Sequence, residues 1–265
     1  MALDRINLPH EVTWHGLAAC FFIPGLAVWL RGPRLWGRAA MMACGVLFLI
    51  YIALLGYPTA NFAYGLILSI HATGFVYYCR PIMSRWELGR RIFFTGAVLL
   101  AIGLLLYSPL RAFQAHWLVP VRVHGEVVVM RRVLSPGVVR RGDWVMYSLA
   151  GAYQGDPEAG GAIWLQSGYG WGPVLALGGD HVAFSTNRLS INGVNYPLQP
   201  HMPQDGEIIV PEKHWFVWPE IDISGHGHVR QDAVSSAMMH LAVVPETEFI
   251  GKPFKSWFWR EQILQ

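Results

Sequence analysis

The hydrophobic positions in the first part of the chain fall into four long runs. The runs cover roughly Thr13 to Leu30, Ala39 to Gly56, Phe62 to Cys79 and Ile92 to Ser108. At 1.5 Å per residue, a run of about 18 residues is just long enough to cross the ~30 Å hydrocarbon core of a bilayer. Because the runs contain almost no charged residues, they predict four transmembrane helices rather than a buried soluble bundle.

The charges of the connecting loops predict how these helices are oriented. Arginines occupy the first and third loops, and the second loop, 57–61, is uncharged. The arginines are Arg31, Arg34 and Arg38 in the first loop and Arg80, Arg85, Arg90 and Arg91 in the third. Arginine-rich loops stay in the cytoplasm. We therefore expect an integral protein of a bacterial inner membrane, with its N-terminus and the chain after Ser108 on the extracytoplasmic side.

After about residue 116 the pattern changes to short runs rich in β-branched residues. Turn sequences such as Gly142-Asp143, Gly178-Gly179-Asp180 and Asn192-Gly193 separate these runs, and Asn-Gly is the strongest short hairpin signal. The Gly-rich stretch 154–172 is expected to be a loop. The fold class is therefore a multi-pass α-helical membrane domain, 1–115 with four helices, followed by an all-β extracytoplasmic domain, 116–265.

Two features leave alternatives open. His71 is an ionisable side chain inside a predicted span, which makes it a candidate for function; a neutral histidine bonded to a neighbouring helix is the alternative. The segment Trp257-Phe258-Trp259-Arg260 near the C-terminus is expected either to enter the membrane interface or to pack as a strand on the core.

Composition narrows the classes of function. The 265 residues are 53% hydrophobic and only 14% charged, with a net charge of +3, whereas soluble domains carry about 25% charged residues. This composition excludes a nucleic-acid-binding domain and a typical cytosolic enzyme. The cysteines, Cys20, Cys44 and Cys79, all precede the β half, so a thiolate zinc site is excluded there. We expect no cofactor and no metal, and we interpret the two histidines of 224–228 as part of a polar loop.

Several motifs of the β half follow one another in a fixed order. They are Arg140-Arg141-Gly142-Asp143-Trp144-Val145, then 174–182 with its Gly178-Gly179-Asp180 turn, Leu189-Ser190-Ile191-Asn192-Gly193, the strand 210–217, and the closing segment 244–252. This order resembles type I signal peptidases, including their conjugative pilin-processing relatives. The resemblance extends from Val119 to the C-terminus. It implies an extracytoplasmic β domain behind membrane helices, and the activity of a serine endopeptidase.

The residues that would carry the chemistry depart from that family. The resemblance offers Ser135 as the nucleophile, with a Ser-Pro-Gly turn without chemistry as the alternative. The family places a Lys or His general base before the second Gly-Asp, where a base within reach of the hydroxyl is needed. Here that position is Gly172, and no lysine precedes Lys213. The later base-supporting segment is also replaced, at 216–222, so the pattern indicates a decayed or repurposed site.

These observations predict a signal peptidase-like membrane protein that is catalytically silent. Its outer β domain would bind peptide segments or a membrane partner, because strand addition needs only exposed backbone groups. One alternative is an active endopeptidase that processes signal or pro-sequences of exported proteins through Ser135. Another is a structural subunit of a larger membrane complex. The expected partners are the lipid bilayer and exported proteins or another membrane protein, and no nucleic acid.

Overall fold

The structure is a computed structural model that describes residues 12–123, 125–133, 135, 137, 139–150, 152–156, 161–165, 167–219 and 231–262. It contains two compact units. The helical unit comprises the described residues up to Val129 together with Trp257–Arg260, and the β unit comprises the described remainder. The division therefore falls inside one strand, after residue 129.

The helical unit begins with six α-helices. They are α1 (Trp14–Phe22), α2 (Leu26–Arg31), α3 (Arg34–Ala53), α4 (Pro58–Tyr78), α5 (Leu88–Ile102) and α6 (Ser108–Trp117), with a π-helical segment, Gly103–Tyr107, between the last two. Among the described residues, two helices are long and apolar enough to cross a membrane: Arg34–Ala53 and the continuous helix Leu88–Trp117. Helix α4 has 21 residues, a length of about 32 Å, but its interior includes polar residues such as Asn61 and His71.

The first apolar run is not a single span. It forms α1 and α2, which are separated at Pro24 and at Gly25, whose φ is 82°. Proline lacks a backbone donor and glycine tolerates a left-handed φ, so this pair ends one helix and redirects the chain. Both helices meet the same end of α4: the backbone nitrogen of Thr13, just before α1, lies 3.5 Å from the hydroxyl of Tyr78, and the Arg31 guanidinium lies 5.3 Å from the centre of the Tyr78 ring. The expectation of one continuous first helix is therefore wrong.

The strands form antiparallel sheets. They are β1 (Leu118–Val123), β2 (Glu126–Arg132), β3 (Trp144–Leu149), β4 (Ala152–Asp156), β5 (Gly161–Leu165), β6 (Gly168–Leu177), β7 (His181–Ser185), β8 (Arg188–Ile191), β9 (Val194–Pro197), β10 (Gly206–Ile209), β11 (His214–Val217), β12 (Val243–Pro245), β13 (Phe249–Pro253), β14 (Ser256–Trp257) and β15 (Arg260–Glu261). The largest sheet has the order β1-β2-β13-β3-β6-β11-β12, and a second has the order β10-β7-β8-β9. The pairs β4-β5 and β14-β15 stand apart.

Two details of the β unit differ from expectation and one agrees. The hairpin at Asn192-Gly193 is confirmed: φ is 50° and 84° at the two residues, and Ile191 pairs with Val194, as a two-residue turn with positive φ requires. The stretch 154–172 is not a loop, because it contains β5 and the first half of β6. The domain is also not all-β, because Gln231–Ala242 forms a helix, α7.

The core of the β unit has two parts. Helix α7 buries Val234, Ala237, Met238 and Ala242, at the spacing of one helical face. These residues pack with side chains of β7 and β8 and with Phe216 of β11 in one cluster. A second cluster contains the side chains of β3 that alternate on the same face, together with residues of β6, β11 and β12; its buried members are Val145, Tyr147, Leu149, Val174, Trp215, Val217 and Val244.

Candidate functional site

Ser135, the expected nucleophile, lies in an exposed bend between β2 and β3. The segment leaves β2 beside β13, where the backbone N–H of Val133 donates to the carbonyl of Ile250 at 2.9 Å. Within the described part of the chain, no histidine or lysine nitrogen lies within hydrogen-bond distance of the Ser135 hydroxyl. The role of Ser135 as a nucleophile stays a prediction.

The expected base position, Gly172, lies in the middle of the sheet. Gly172 pairs with Val145 across β6 and β3. A Cβ built on Gly172 would lie 2.9 Å from Cγ1 of Val217 and 3.3 Å from the carbonyl oxygen of Trp218. Both distances are shorter than an ordinary van der Waals contact, so any side chain at this position would need its neighbours to move. The space for a base is therefore filled by β11.

A second glycine of β6 lies under a buried tyrosine. Gly170 pairs with Tyr147, and a Cβ on Gly170 would overlap the tyrosine ring. Tyr147 is 1% exposed, and no described residue accepts or donates a hydrogen bond at its hydroxyl. Burial raises the pKa of Tyr147 far above its ordinary value, so the hydroxyl is neutral. The glycines of β6 thus let larger side chains of neighbouring strands lie across it.

The Asp of the second Gly-Asp turn joins three of the motifs. Asp180 accepts hydrogen bonds from Nε of Arg141 at 3.0 Å, from the backbone N–H of Leu177 at 2.6 Å and from Nδ2 of Asn192 at 2.9 Å. The Asn192 side chain in turn accepts from the backbone N–H of His181 at 2.8 Å. Burial raises the pKa of Asp180, but the bonds from Arg141, Leu177 and Asn192 outweigh it, and the pKa lies below its ordinary value.

The Asp of the first Gly-Asp turn joins the opening and closing motifs. Asp143 accepts from the backbone N–H of Arg140 at 3.1 Å and from Nζ of Lys252 at 2.8 Å. Burial raises the pKa of Asp143, and the bonds from Lys252 and Arg140 bring it below its ordinary value. Lys252, which lies in β13, therefore has its ionic partner in Asp143, in the turn before β3. The motif residues of this network hold the turns together.

The edge of the smaller sheet offers unpaired backbone groups. Strand β10 pairs with β7 alone, and the N–H of Val210 donates to the carbonyl of Asp180 at 2.9 Å. Because hydrogen bonding alternates along an antiparallel strand, Glu207 and Ile209 direct their N–H and C=O groups away from β7. No described residue bonds to these four groups. The Ile209 side chain is 67% exposed.

A groove lies between α7 and the segment that leads into β10. Its volume is about 480 Å³. Its lining includes the apolar side chains of Met202 and Met239 and the polar residues Asp205 and Ser236. Met202 is buried and belongs to the cluster against which Ile208 packs. Sequence reasoning missed this groove because neither α7 nor its contact with 202–205 was predicted.

In the helical unit, His71 joins three helices. Its Nε2 lies 2.9 Å from the carbonyl oxygen of Cys20 in α1, and its Nδ1 lies 3.1 Å from the hydroxyl of Tyr107. Because the carbonyl can only accept, Nε2 carries the proton and Nδ1 accepts from Tyr107. The Tyr64 hydroxyl donates to the carbonyl of Tyr107. Both ring nitrogens are therefore within hydrogen-bond distance of a partner. This agrees with the alternative that His71 is a neutral histidine bonded to a neighbouring helix.

The Trp257–Arg260 segment forms a tight turn that contacts the end of α3. Trp257 Nε1 donates to the carbonyl of Ile52 at 3.0 Å, and Arg260 Nη2 donates to that of Ala53 at 2.9 Å. The Arg260 guanidinium also lies 4.9 Å from the centre of the Tyr57 ring. Both carbonyls belong to the last turn of α3, where that of Ile52 also accepts from the backbone N–H of Leu55 at 3.3 Å, and a cation such as Arg260 is favourable at this end of a helix.

Comparisons with known proteins do not identify a family for this chain. No protein family model matches the chain, and no curated protein matches its sequence. Within the described ranges, no group of three or more His, Cys, Asp or Glu side chains could hold a metal ion. The histidine-containing segment 224–228 lies outside the described residues.

Proposed function

We propose that the chain is a membrane-anchored, catalytically silent relative of the signal peptidases whose outer β domain binds an extended peptide segment. The observation that carries the proposal is the packing around Gly172, where Val217 and Trp218 fill the space that a general base needs. A serine hydroxyl is a weak nucleophile without an adjacent base. Ser135 has no such partner among the described residues.

The anchor is proposed to cross the membrane three times. Helices α3, α4 and α5–α6 are the crossings, and α1–α2 is a re-entrant hairpin that enters and leaves at the arginine-rich end. The contacts of Thr13 and Arg31 with Tyr78 support this arrangement, because they bring both ends of the hairpin to one end of α4. The positive-inside rule then places the N-terminus and both arginine loops in the cytoplasm. Three crossings still place the β domain outside, in agreement with the four-helix prediction.

The peptide is proposed to bind along β10. An extended segment would pair with the N–H and C=O groups of Glu207 and Ile209, which is the mode of recognition called β-augmentation. The opposite edge, β9, is a poorer template. Its Pro197 has no N–H, and the register with β8 leaves Asn195 as the residue of β9 that directs an N–H outward.

The groove beside β10 indicates the chemistry of the peptide. Side chains of an added strand alternate between the two faces of the sheet, so every second side chain would point toward the α7 side. Met202 and Met239 form an adaptable apolar wall there, as methionine does at surfaces that accept varied ligands. We therefore expect an extended segment with apolar side chains at alternate positions, such as the exported part of a membrane client.

The test uses the full-length protein in detergent and a labelled synthetic signal-peptide substrate. We expect the peptide to bind and to stay uncut, and Ser135→Ala to change neither result. Ile209→Pro removes an outward N–H without removing a bond to β7, and should weaken binding about tenfold. Asn195→Pro makes the matched change on β9 and should leave binding unaltered.

Three outcomes would contradict the proposal. Cleavage that Ser135→Ala abolishes would establish the active endopeptidase. Equal weakening by Ile209→Pro and Asn195→Pro, or no binding by the folded protein, would remove the β10 site. A variant with Gly172→Lys should remain inactive, because β11 leaves no room for the new side chain.

A further inference from the structure

The chain returns to the helical unit near its C-terminus. Trp257–Arg260 belongs to that unit and lies in the hairpin of the short strands β14 and β15. The indole and the guanidinium at the two ends of the turn bond to backbone carbonyls in the last turn of α3. The two side chains at the tip, Phe258 and Trp259, are 53% and 72% exposed. The turn therefore presents two large aromatic side chains on the surface of the helical unit.

The backbone at the tip makes this exposure more unusual. Phe258 has a φ of 55°, in the left-handed region that bulky side chains seldom adopt and that glycine adopts without cost. Residues in such conformations concentrate at functional sites, where the surrounding structure fixes them. Here the paired strands and the two bonds to α3 fix the turn. A large apolar side chain thus lies where neither the turn nor the core of the protein requires one.

The end of α3 marks the level of these side chains. Helix α3 is long and apolar enough to cross a membrane, so its last turn lies where the hydrocarbon layer ends. In that turn the Tyr51 hydroxyl donates to Oε1 of Gln114 in α6 at 2.8 Å, which brings the neighbouring Phe113, 65% exposed, to nearly the same level. Exposed aromatic side chains on two elements distant in sequence therefore lie at one level, as in the aromatic belt at a membrane interface.

The small size of the tip favours lipid over a protein partner. One large aromatic side chain buries at most about 250 Å², so the two tip residues offer at most about 500 Å². A stable protein interface buries about 800 Å² on each partner. Insertion into a bilayer has no such minimum, and tryptophan keeps its N–H near water while its ring enters the acyl chains. Arg260, whose guanidinium lies 4.9 Å from the centre of the Tyr57 ring, adds a positive charge at the level of the phosphate groups.

We propose that Phe258 and Trp259 insert into the lipid headgroup region of the bilayer, at the end of α3 opposite its arginine-rich start. The C-terminal turn is then a membrane contact in addition to the helices. Of the two alternatives for the segment 257–260, this inference selects entry into the membrane interface. It rests on the membrane anchor of the proposed function and is independent of peptide binding by the β domain.

The test measures the depth of a fluorescent label in the full-length protein, reconstituted in phosphatidylcholine vesicles. An environment-sensitive fluorophore is attached to Phe258→Cys, Trp259→Cys, Leu105→Cys or Lys213→Cys, and the wild type, whose three cysteines are buried, is the labelling control. Leu105 is 68% exposed and precedes Gln114 by about 13 Å along the same helix, so it is the reference for the acyl chains. Lys213, an exposed residue of the turn before β11, is the reference for water.

Two kinds of quencher separate the environments. We expect the labels at 258 and 259 to emit at shorter wavelength than the label at 213 and to lose quenching by aqueous iodide. A lipid with its nitroxide near the headgroup should quench them more than a lipid with its nitroxide near the end of the acyl chain, and the label at 105 should show the opposite preference. Trp259→Ser should raise iodide quenching of the label at 258. Tyr169→Ser, a change of an exposed aromatic residue in β6, should not.

Each contrary result has a distinct meaning. Labels at 258 and 259 that are as open to iodide as the label at 213, with the label at 105 shielded, would overturn the inference and leave the anchor standing. Iodide access at 105 as well would end both the anchor and the inference. Shielding at 258 and 259 without quenching by either lipid would show that protein, such as a second copy, covers the turn, and would overturn the lipid assignment. If Phe258→Cys does not fold, the label at 259 decides the outcome.

Discussion

Replacement of Tyr147 by phenylalanine should stabilise the β unit. The ring lies across Gly170 in the core of the largest sheet, and the side chain is 1% exposed. Its hydroxyl has no hydrogen-bond partner among the described residues. Most substitutions in a core are destabilising because they leave a cavity or introduce strain. Tyr147→Phe does neither, because it keeps the ring and removes one oxygen atom.

The size of the effect follows from the cost of the buried hydroxyl. A polar group that is buried without a partner loses its bonds to water, at a cost of about 1–3 kcal/mol. Burial already raises the pKa of Tyr147 far above its ordinary value, so ionisation does not offset this cost. We expect a gain of about 1–2 kcal/mol in the free energy of unfolding, which corresponds to a rise of roughly 4 °C per kcal/mol in the unfolding midpoint.

The assay is thermal unfolding of the full-length protein in detergent, with amide hydrogen exchange in β3 to assign the change to the β unit. Tyr169→Phe is the control, because Tyr169 lies on the neighbouring strand and is 56% exposed. Its midpoint should equal that of the wild type. A lower midpoint for Tyr147→Phe would refute the reasoning, since it would mean that the hydroxyl makes a stabilising bond. Loss of peptide binding in that variant would further show that the bond belongs to the site.

Two further predictions concern topology and pH. An epitope at the N-terminus and one inserted after Gly89 should be protected from external protease in spheroplasts while a C-terminal epitope is digested; digestion of the N-terminal epitope would restore the four-span topology. The pKa of Asp180 is lowered, so its ionised form stabilises the fold above the ordinary pKa of about 4, and this contribution is lost as the pH falls through the lower folded-state value. Asp180→Asn should therefore flatten the acid side of the stability curve, unlike the exposed control Glu248→Gln; parallel curves for wild type and Asp180→Asn would contradict it.

The features that sequence predicted correctly depend on local chemistry. The Asn192-Gly193 hairpin is an example, because both residues adopt positive φ more readily than other residues and only two residues fit between the strands. The two apolar helices are another, because length and hydropathy are properties of the segment itself. The first apolar run was misassigned although its signal was present. Pro24 and Gly25 together interrupt a helix, but a count of apolar residues takes no account of helix-breaking residues.

The features that sequence missed depend on contacts between distant residues. Glycine has a low preference for strands, so the first half of β6 was predicted as a loop. Gly170 and Gly172 are accommodated there because Tyr147 and Val217 from neighbouring strands occupy the space above them. Helix α7 carries Val234, Ala237, Met238 and Ala242 on one face, but its short apolar side chains are a weak periodic signal. The β10 edge and the groove depend on α7, so they could not be predicted from the sequence either.

The turn network gives the motifs that resemble those of a peptidase a structural role of their own. Asp180 joins the turns of Arg141 and Asn192, and Asp143 joins the first turn to Lys252. Each of these residues stabilises the fold through bonds that do not involve Ser135 or position 172. A chain without a base at position 172 would keep the network, because breaking one of these hydrogen bonds costs stability whether or not a substrate is cut. The order of the motifs is therefore evidence about the fold. The packing at Gly172 bears on catalysis. Only this packing distinguishes a peptide-binding protein from a peptidase.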